Sequence, residues 1–161
     1  MTKEEKQVFQ DFDLVIFGGD GDLSFRKIFP ALYHRLNEYQ ISERSRIIAV
    51  SRKEKGQDEF LVQLESNLRI FIENIDETVL KKLLAMVSFG MINTDTNQQN
   101  EAVDGWFSES QAEVRVFYLA TPAVAFGPIA SYLNQKGYIS KQSRVVLEKP
   151  LGTDLESSER I

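Results

Sequence analysis

Residues 13–23, Asp13-Leu-Val-Ile-Phe-Gly-Gly-Asp-Gly-Asp-Leu23, decide the fold of this chain. Their apolar, partly β-branched run stops at two glycines and leads into a helical pattern, which predicts a buried strand, a tight turn and a helix. A nucleotide-binding α/β domain begins in this way. Near the other end, Val145-Val-Leu-Glu-Lys-Pro-Leu-Gly152 predicts another strand, with Lys149 at its carboxyl end. Ligands bind outside the carboxyl ends of the strands in an open parallel sheet, so both segments should face one crevice.

Apolar runs alternate with helical spacing between these two segments. Strands are predicted at residues 13–17, 45–50, 87–92, 114–120 and 144–148, and helices at 23–39, 60–71, 76–86, 101–107, 123–135 and from 154 onward. This alternation predicts an α/β fold with a doubly wound, mostly parallel sheet and helices on both faces. In the second helix, one face is expected to carry Phe60, Leu61, Leu64, Leu68 and Phe71. We expect a polar tail over residues 1–12 and one cofactor-binding domain over residues 13–161.

The composition argues against several classes of function. A chain of 161 residues with 42% hydrophobic content has room for one well-buried domain. Its net charge of −5 argues against nucleic acids and anionic membranes as partners. With no cysteine and the single histidine His34, no metal site is expected. The polar residues Met1–Gln10 do not resemble a signal peptide and no apolar run approaches membrane-spanning length, so we expect a cytoplasmic protein.

The glycines of the first turn indicate a phosphate site. Gly18, Gly19 and Gly21 let the backbone turn tightly and approach a pyrophosphate at the amino end of the following helix. The spacing departs from the usual G-x-G-x-x-G, and a turn that needs glycine only for steric reasons fits equally well. The residues after the second strand favour the phosphate site. An NAD-binding domain carries an acid there, whereas this chain carries Arg52 and Lys53, which predicts NADP with its 2′-phosphate.

These residues and several later ones resemble the glucose-6-phosphate dehydrogenase family. The family's amino-terminal domain begins with a strand and a G-[AG]-x-G-D-L turn, which corresponds here to Gly18-Gly-Asp-Gly-Asp-Leu23. The resemblance continues through the segments Arg26–Tyr33, Ser51-Arg52, Phe117–Pro122 and Glu148–Leu155. It implies oxidation of the C1 hydroxyl of glucose 6-phosphate to a lactone, with a hydride passing to NADP⁺, as the first step of the pentose phosphate pathway.

The resemblance also implies roles for individual residues. The pyrophosphate would lie on the turn formed by Gly18, Gly19, Asp20, Gly21, Asp22 and Leu23. Arg52, with Lys53 beside it, would hold the 2′-phosphate, and Thr121 and Pro122 would border the nicotinamide. Lys149 would bridge the cofactor and the sugar phosphate. From the residues alone, Lys149 also fits a strand-end charge, and Asp22 fits a helix cap or a partner of Lys27.

Two features depart from the family pattern. The family has a hydroxyl or small residue where this chain has Asp20, whose carboxylate should either repel the pyrophosphate or turn away to accept backbone N–H groups. The family's catalytic histidine belongs to a later segment that this sequence does not contain, and His34, on the first helix, is expected to be structural. We therefore expect no catalytic residue in this chain and no turnover by the chain alone.

Two alternatives to this interpretation stay open. The inositol dehydrogenase and glucose-fructose oxidoreductase family shares the Thr-Pro strand end and a later Glu-Lys-Pro, although it favours a true G-x-G-x-x-G turn. A non-catalytic nucleotide-binding or interaction module is the alternative from another class. We expect this chain to be a monomer and the parent enzyme, which would bind glucose 6-phosphate, to be a homo-oligomer.

Overall fold

A six-stranded sheet organises residues 10–147, the part of the chain that the computed structural model describes. Its strands are β1 (Phe12–Phe17), β2 (Arg46–Ser51), β3 (Val87–Asn93), β4 (Gln98–Gln99), β5 (Val114–Leu119) and β6 (Ser143–Leu147). They lie in the order β4-β3-β2-β1-β5-β6, and every neighbouring pair is parallel except β3 and β4. Strands β2, β3 and β4 therefore extend the sheet on one side of β1, and β5 and β6 extend it on the other side.

Helices cover both faces of the sheet. They are α1 (Phe29–Asn37), α2 (Gln57–Phe71), α3 (Glu77–Met86), α4 (Glu101–Ser108) and α5 (Phe126–Lys136). One apolar core lies between the sheet and α1, α2 and α3, where Phe60 stacks on Phe25 and Phe89. A second core lies on the opposite face, where α4 and α5 pack. The doubly wound α/β fold expected from the sequence is thus confirmed, as is the Asp76 cap of α3, whose carboxylate accepts from the N–H groups of Thr78 and Val79.

The first helix is not regular throughout. Residues Ser24–Ile28 form a π-helix that runs into α1. Pro30 has no N–H to donate to the carbonyl of Arg26 four residues earlier, so the α-helical hydrogen-bond ladder is interrupted at this point. Two further local features were not predicted. Residues Ala123–Ala125 form a 3₁₀ turn before α5, and the two-residue strand β4 has no apolar alternation to reveal it.

Phe71 does not lie on the core face of α2, contrary to the expectation from helical spacing. Its side chain is 41% exposed, and the next residue, Ile72, is buried in its place. Phe71 ends the helix, and at Ile72 the backbone is already extended, which turns Ile72 toward the core. Exposed Phe71 instead faces the guanidinium of Arg26, 6.0 Å from the ring centroid.

A buried ion cluster joins three strands at their amino ends. Asp13 of β1, only 1% exposed, accepts hydrogen bonds of 3.2 Å from both Nε and Nη2 of Arg46 on β2 and a further one from Ser110. Arg115 of β5 brings its Nε to 3.9 Å from the same carboxylate. Burial lowers the pKa of the Arg115 guanidinium, and the charge of Asp13 partly offsets that shift. Because a buried charge needs partners, this cluster fixes the register of β1 against its two neighbours.

Candidate functional site

The candidate site lies between β1 and β5, where the strand order reverses. The two strands are paired along their length, and the N–H of Ala120 donates to the carbonyl of Phe17 at 2.9 Å as both strands end. The turn after β1 and the residues after β5 therefore border one crevice at the carboxyl edge of the sheet. Such a switch point is where open α/β sheets bind their ligands.

Gly18 and Gly19 occupy positions that admit no side chain. Gly18 has a φ of +77°, and a β-carbon there would lie 2.5 Å from the carbonyl oxygen of Ala120. A β-carbon at Gly19 would lie 2.5 Å from that of Ala49. Both N–H groups donate to the carbonyl of Val50, at 2.9 and 3.0 Å, so the turn is fastened to the end of β2. The steric need for glycine is therefore real, because a side chain at either position would collide with β2 or with the residue after β5.

The rest of the turn leads into the helix. The Gly21 N–H and the Ser24 hydroxyl both donate to the Gly18 carbonyl, at 3.0 and 2.8 Å, which closes the turn on itself. Leu23 packs against the core, so this residue faces the crevice only through its backbone. Asp22 is exposed and pairs with Arg26 at 3.4 Å rather than with Lys27. The first N–H groups of a helix have no intrahelical partner, which makes this end suited to an anion.

Asp20 has a partner that the sequence did not reveal. Its Oδ2 lies 3.3 Å from Nζ of Lys55, in the loop after β2, and both side chains are largely buried. The sequence suggested either an unpaired carboxylate or one that accepts N–H groups of its own turn. The structure instead pairs the carboxylate with Lys55. Lys55 lies in a charged loop without any recognisable pattern, and only the fold brings it to the turn.

Arg52 lies at the end of β2, as predicted, but its guanidinium is already engaged. It donates from Nη2 to Oδ2 of Asp95, in the turn between β3 and β4, and both side chains are about two-thirds exposed. The neighbouring Lys53 is exposed, and its N–H donates to the Ser51 hydroxyl at 3.1 Å. Asp95 was missed in the sequence because nothing in the polar run around it indicates which strand end it faces.

Thr121 supplies the clearest sign of a ligand. Its hydroxyl oxygen is buried and has no hydrogen-bond partner among residues 10–147. Its methyl group would lie 3.2 Å from a β-carbon at Gly18, which places the side chain directly over the glycine turn. Pro122 follows and is exposed at the start of the 3₁₀ turn. Buried polar groups are nearly always satisfied, so an unpaired hydroxyl beside a crevice is consistent with a ligand that completes it.

The remaining sequence predictions concern Lys149 and His34. Lys149 and Pro150 fall outside the described residues. His34 is exposed on α1, edge-on to the ring of Tyr33, and belongs to the helix surface rather than to the crevice. Across residues 10–147, no group of three or more histidine, cysteine, aspartate or glutamate side chains is placed to hold a metal ion. None of the helices described above is both long and apolar enough to cross a membrane.

Comparison with known proteins assigns the chain to a family. Residues 15–161 match the family model described as "Glucose-6-phosphate dehydrogenase, NAD binding domain". The chain belongs to this family. The family match decides between the two dehydrogenase families that the sequence left open, and it supports a nicotinamide dinucleotide as the cofactor.

Curated relatives agree with this assignment. Glucose-6-phosphate 1-dehydrogenase of Mycolicibacterium smegmatis is 36% identical over 155 residues, which cover 92% of this chain and 31% of the relative. The enzyme of the same name from Gluconobacter oxydans is 33% identical over 162 residues, covering 98% of this chain and 33% of the relative. The chain spans about a third of the length of these relatives.

Solved structures show the same fold. The glucose-6-phosphate 1-dehydrogenase of Mycobacterium avium superimposes with a TM-score of 0.78 at 26% identity, over 94% of this chain and 32% of that one. A glucose-6-phosphate dehydrogenase in complex with its substrate glucose 6-phosphate gives a TM-score of 0.74 at 28% identity, over 96% of this chain and 33% of that one. The architecture derived above is thus the one found in family members.

Proposed function

We propose that this chain is the NADP-binding domain of a glucose-6-phosphate 1-dehydrogenase. The observation that carries the proposal is the buried hydroxyl of Thr121, which has no partner in the described part of the chain and lies over the side-chain-free turn at Gly18 and Gly19. The turn carries no side chain at Gly18 and Gly19, and the buried hydroxyl beside it has no partner among residues 10–147, so the residues present fit a dinucleotide. Bound NADP⁺ would supply the hydride acceptor.

The residues of the crevice divide the work of binding. The N–H groups of Gly18, Gly19 and Gly21 donate within the protein, so the pyrophosphate would use the other N–H groups of the turn up to Leu23. They lie at the amino end of a helix, where the helix dipole favours negative charge. Thr121 and Pro122 border the side of the crevice toward β5, where the nicotinamide is expected. The chain's own groups thus bind and orient the cofactor, and the family assignment supports this arrangement.

NADP is favoured over NAD by the charges after β2. An NAD site uses a carboxylate to accept from the ribose hydroxyls, whereas Arg52 and Lys53 offer only cationic donors at this point. Arg52 is exposed and pairs with an equally exposed carboxylate, so it is accessible to a phosphate. On cofactor binding, the 2′-phosphate would replace Asp95 as the partner of Arg52, so the guanidinium would remain paired.

The reaction of the whole enzyme is part of the proposal. The relatives named above are glucose-6-phosphate 1-dehydrogenases, and we propose that the parent oxidises glucose 6-phosphate with Lys149 at the sugar end of the crevice. The catalytic base is expected to come from elsewhere in the parent, since His34 faces away from the crevice. A cytoplasmic location and a homo-oligomeric parent belong to the same proposal.

Cofactor titration tests the proposed function. Calorimetry of the purified chain with NADP⁺ and with NAD⁺ is expected to show binding of both and clearly tighter binding of NADP⁺. Equal affinities would remove the argument from Arg52 and Lys53. Failure of both dinucleotides to bind would favour a non-catalytic interaction module instead.

A further inference from the structure

Asp20 places a negative charge on the turn that the proposed function assigns to the pyrophosphate. An unpaired carboxylate at this point would repel a phosphate strongly in the low-dielectric setting of a crevice. Its Oδ2 lies 3.3 Å from Nζ of Lys55, so the repulsion is opposed within the protein itself. The question is whether this pair is a chance surface contact or a built part of the site.

Lys55 is held in place by more than Asp20. Its ammonium group donates to Oε1 of Gln63 on α2 at 3.1 Å and lies 5.7 Å from the ring centroid of Phe89 on β3. Only 21% of its side chain and 22% of that of Asp20 are exposed. Exposed ion pairs are screened by salt and exchange partners freely, whereas a pair this buried is screened much less.

The backbone keeps the two charges together. The N–H groups of Gly18 and Gly19 both donate to the Val50 carbonyl, which ties the turn carrying Asp20 to the strand that precedes Lys55. The sheet therefore holds side by side the two segments that carry the carboxylate and the ammonium group.

We propose that Lys55 is an affinity-determining positioning residue of the dinucleotide site, which acts by neutralising Asp20 and holding its carboxylate away from the pyrophosphate. The inference rests on the proposed function. It assigns to Lys55 an effect on every dinucleotide, because NADP and NAD share the pyrophosphate, and it makes that effect depend on the presence of Asp20.

A double-mutant cycle tests the dependence. The chain, Asp20→Thr, Lys55→Met and the double variant are titrated with NADP⁺ and NAD⁺ at low and high salt, and their melting temperatures are measured. Methionine keeps a long apolar side chain and removes the ammonium group, with its hydrogen bond to Gln63 and its contact with the Phe89 ring. Lys55→Met is expected to weaken both cofactors roughly fivefold at low salt, and less at high salt. Asp20→Thr and the double variant are expected to stay within about twofold of the chain.

The control is Lys81→Met, on the exposed surface of α3, which is expected to leave both affinities unchanged. Equal weakening by Lys55→Met in the unmodified chain and in the Asp20→Thr variant would overturn the inference, since Lys55 would then act on the cofactor directly. Unchanged affinity in Lys55→Met, with or without a lower melting temperature, would overturn it as well. Absence of binding by the unmodified chain would instead refute the proposed function, and the inference with it.

Discussion

Gly19 packs against Ala49 so closely that a β-carbon on the glycine would lie 2.5 Å from the β-carbon of the alanine. The contact joins the turn after β1 to the middle of β2. We predict that Gly19→Ala lowers the free energy of unfolding by about 1–3 kcal/mol, because overpacking must displace either the turn or the strand. It should also weaken NADP⁺ binding. Thermal melting and calorimetry measure the two effects.

Gly127→Ala is the matched control for this substitution. Gly127 lies in the first turn of α5, and a β-carbon there meets nothing within 4 Å. Alanine is the better helix former, so the melting temperature should stay or rise and affinity should not change. A Gly19→Ala protein that melts and binds like the unmodified chain would show that the turn is soft.

Arg52→Ala is predicted to weaken NADP⁺ selectively. Loss of a charge-assisted hydrogen bond to the 2′-phosphate should cost roughly 1.5–3 kcal/mol of binding free energy, whereas NAD⁺ has no phosphate at that position. Arg44→Ala provides a control, because Arg44 is also an exposed, ion-paired arginine but precedes β2 instead of following it. Equal losses of NADP⁺ and NAD⁺ affinity in calorimetry would place Arg52 outside the 2′-phosphate pocket.

Asp95→Asn is predicted to strengthen NADP⁺ binding. Asp95 occupies the guanidinium of Arg52, so the 2′-phosphate must displace it, and the amide competes less well for that position. Because the pair is exposed, we expect only a two- to fivefold gain, on the order of 1 kcal/mol or less. The gain should vanish in an Arg52→Ala background. A weaker NADP⁺ complex in the single variant would contradict the competition.

The 161-residue chain is predicted not to reduce NADP⁺ with glucose 6-phosphate. General-base catalysis requires an acceptor within hydrogen-bond reach of the reacting hydroxyl, and the single histidine is exposed on α1. A steady-state assay of absorbance by NADPH measures this. Turnover of about 1 s⁻¹ or faster, which is ordinary for an enzyme, would refute the prediction.

Sequence patterns predicted the parts of this molecule that depend on local chemistry. Every strand except β4 follows from an apolar run, and the turn at Gly18 and Gly19 follows from its glycines. Thr121 was expected beside the nicotinamide because the resemblance to the family implies it, and the structure places this residue just after β5. The partners Lys55 and Asp95 were not predictable in this way, since each lies in a polar segment and meets its partner only after the sheet has formed.

The buried cluster at Asp13 has a consequence for how variants of such a chain are judged. Asp13 and Gly18 lie at opposite ends of one strand, roughly 16 Å apart at 3.3 Å per residue. Loss of the Asp13 carboxylate, near the amino end of β1, takes an ionic partner from Arg46 and Arg115. Breaking such a buried pair lowers the free energy of unfolding by about 3–5 kcal/mol, which reduces the amount of folded protein. A substitution at Gly18, after the carboxyl end of the strand, is expected to reduce cofactor binding. In a cell extract both substitutions lower the measured activity. Protein abundance must therefore be measured beside activity to distinguish loss of folded protein from loss of cofactor binding.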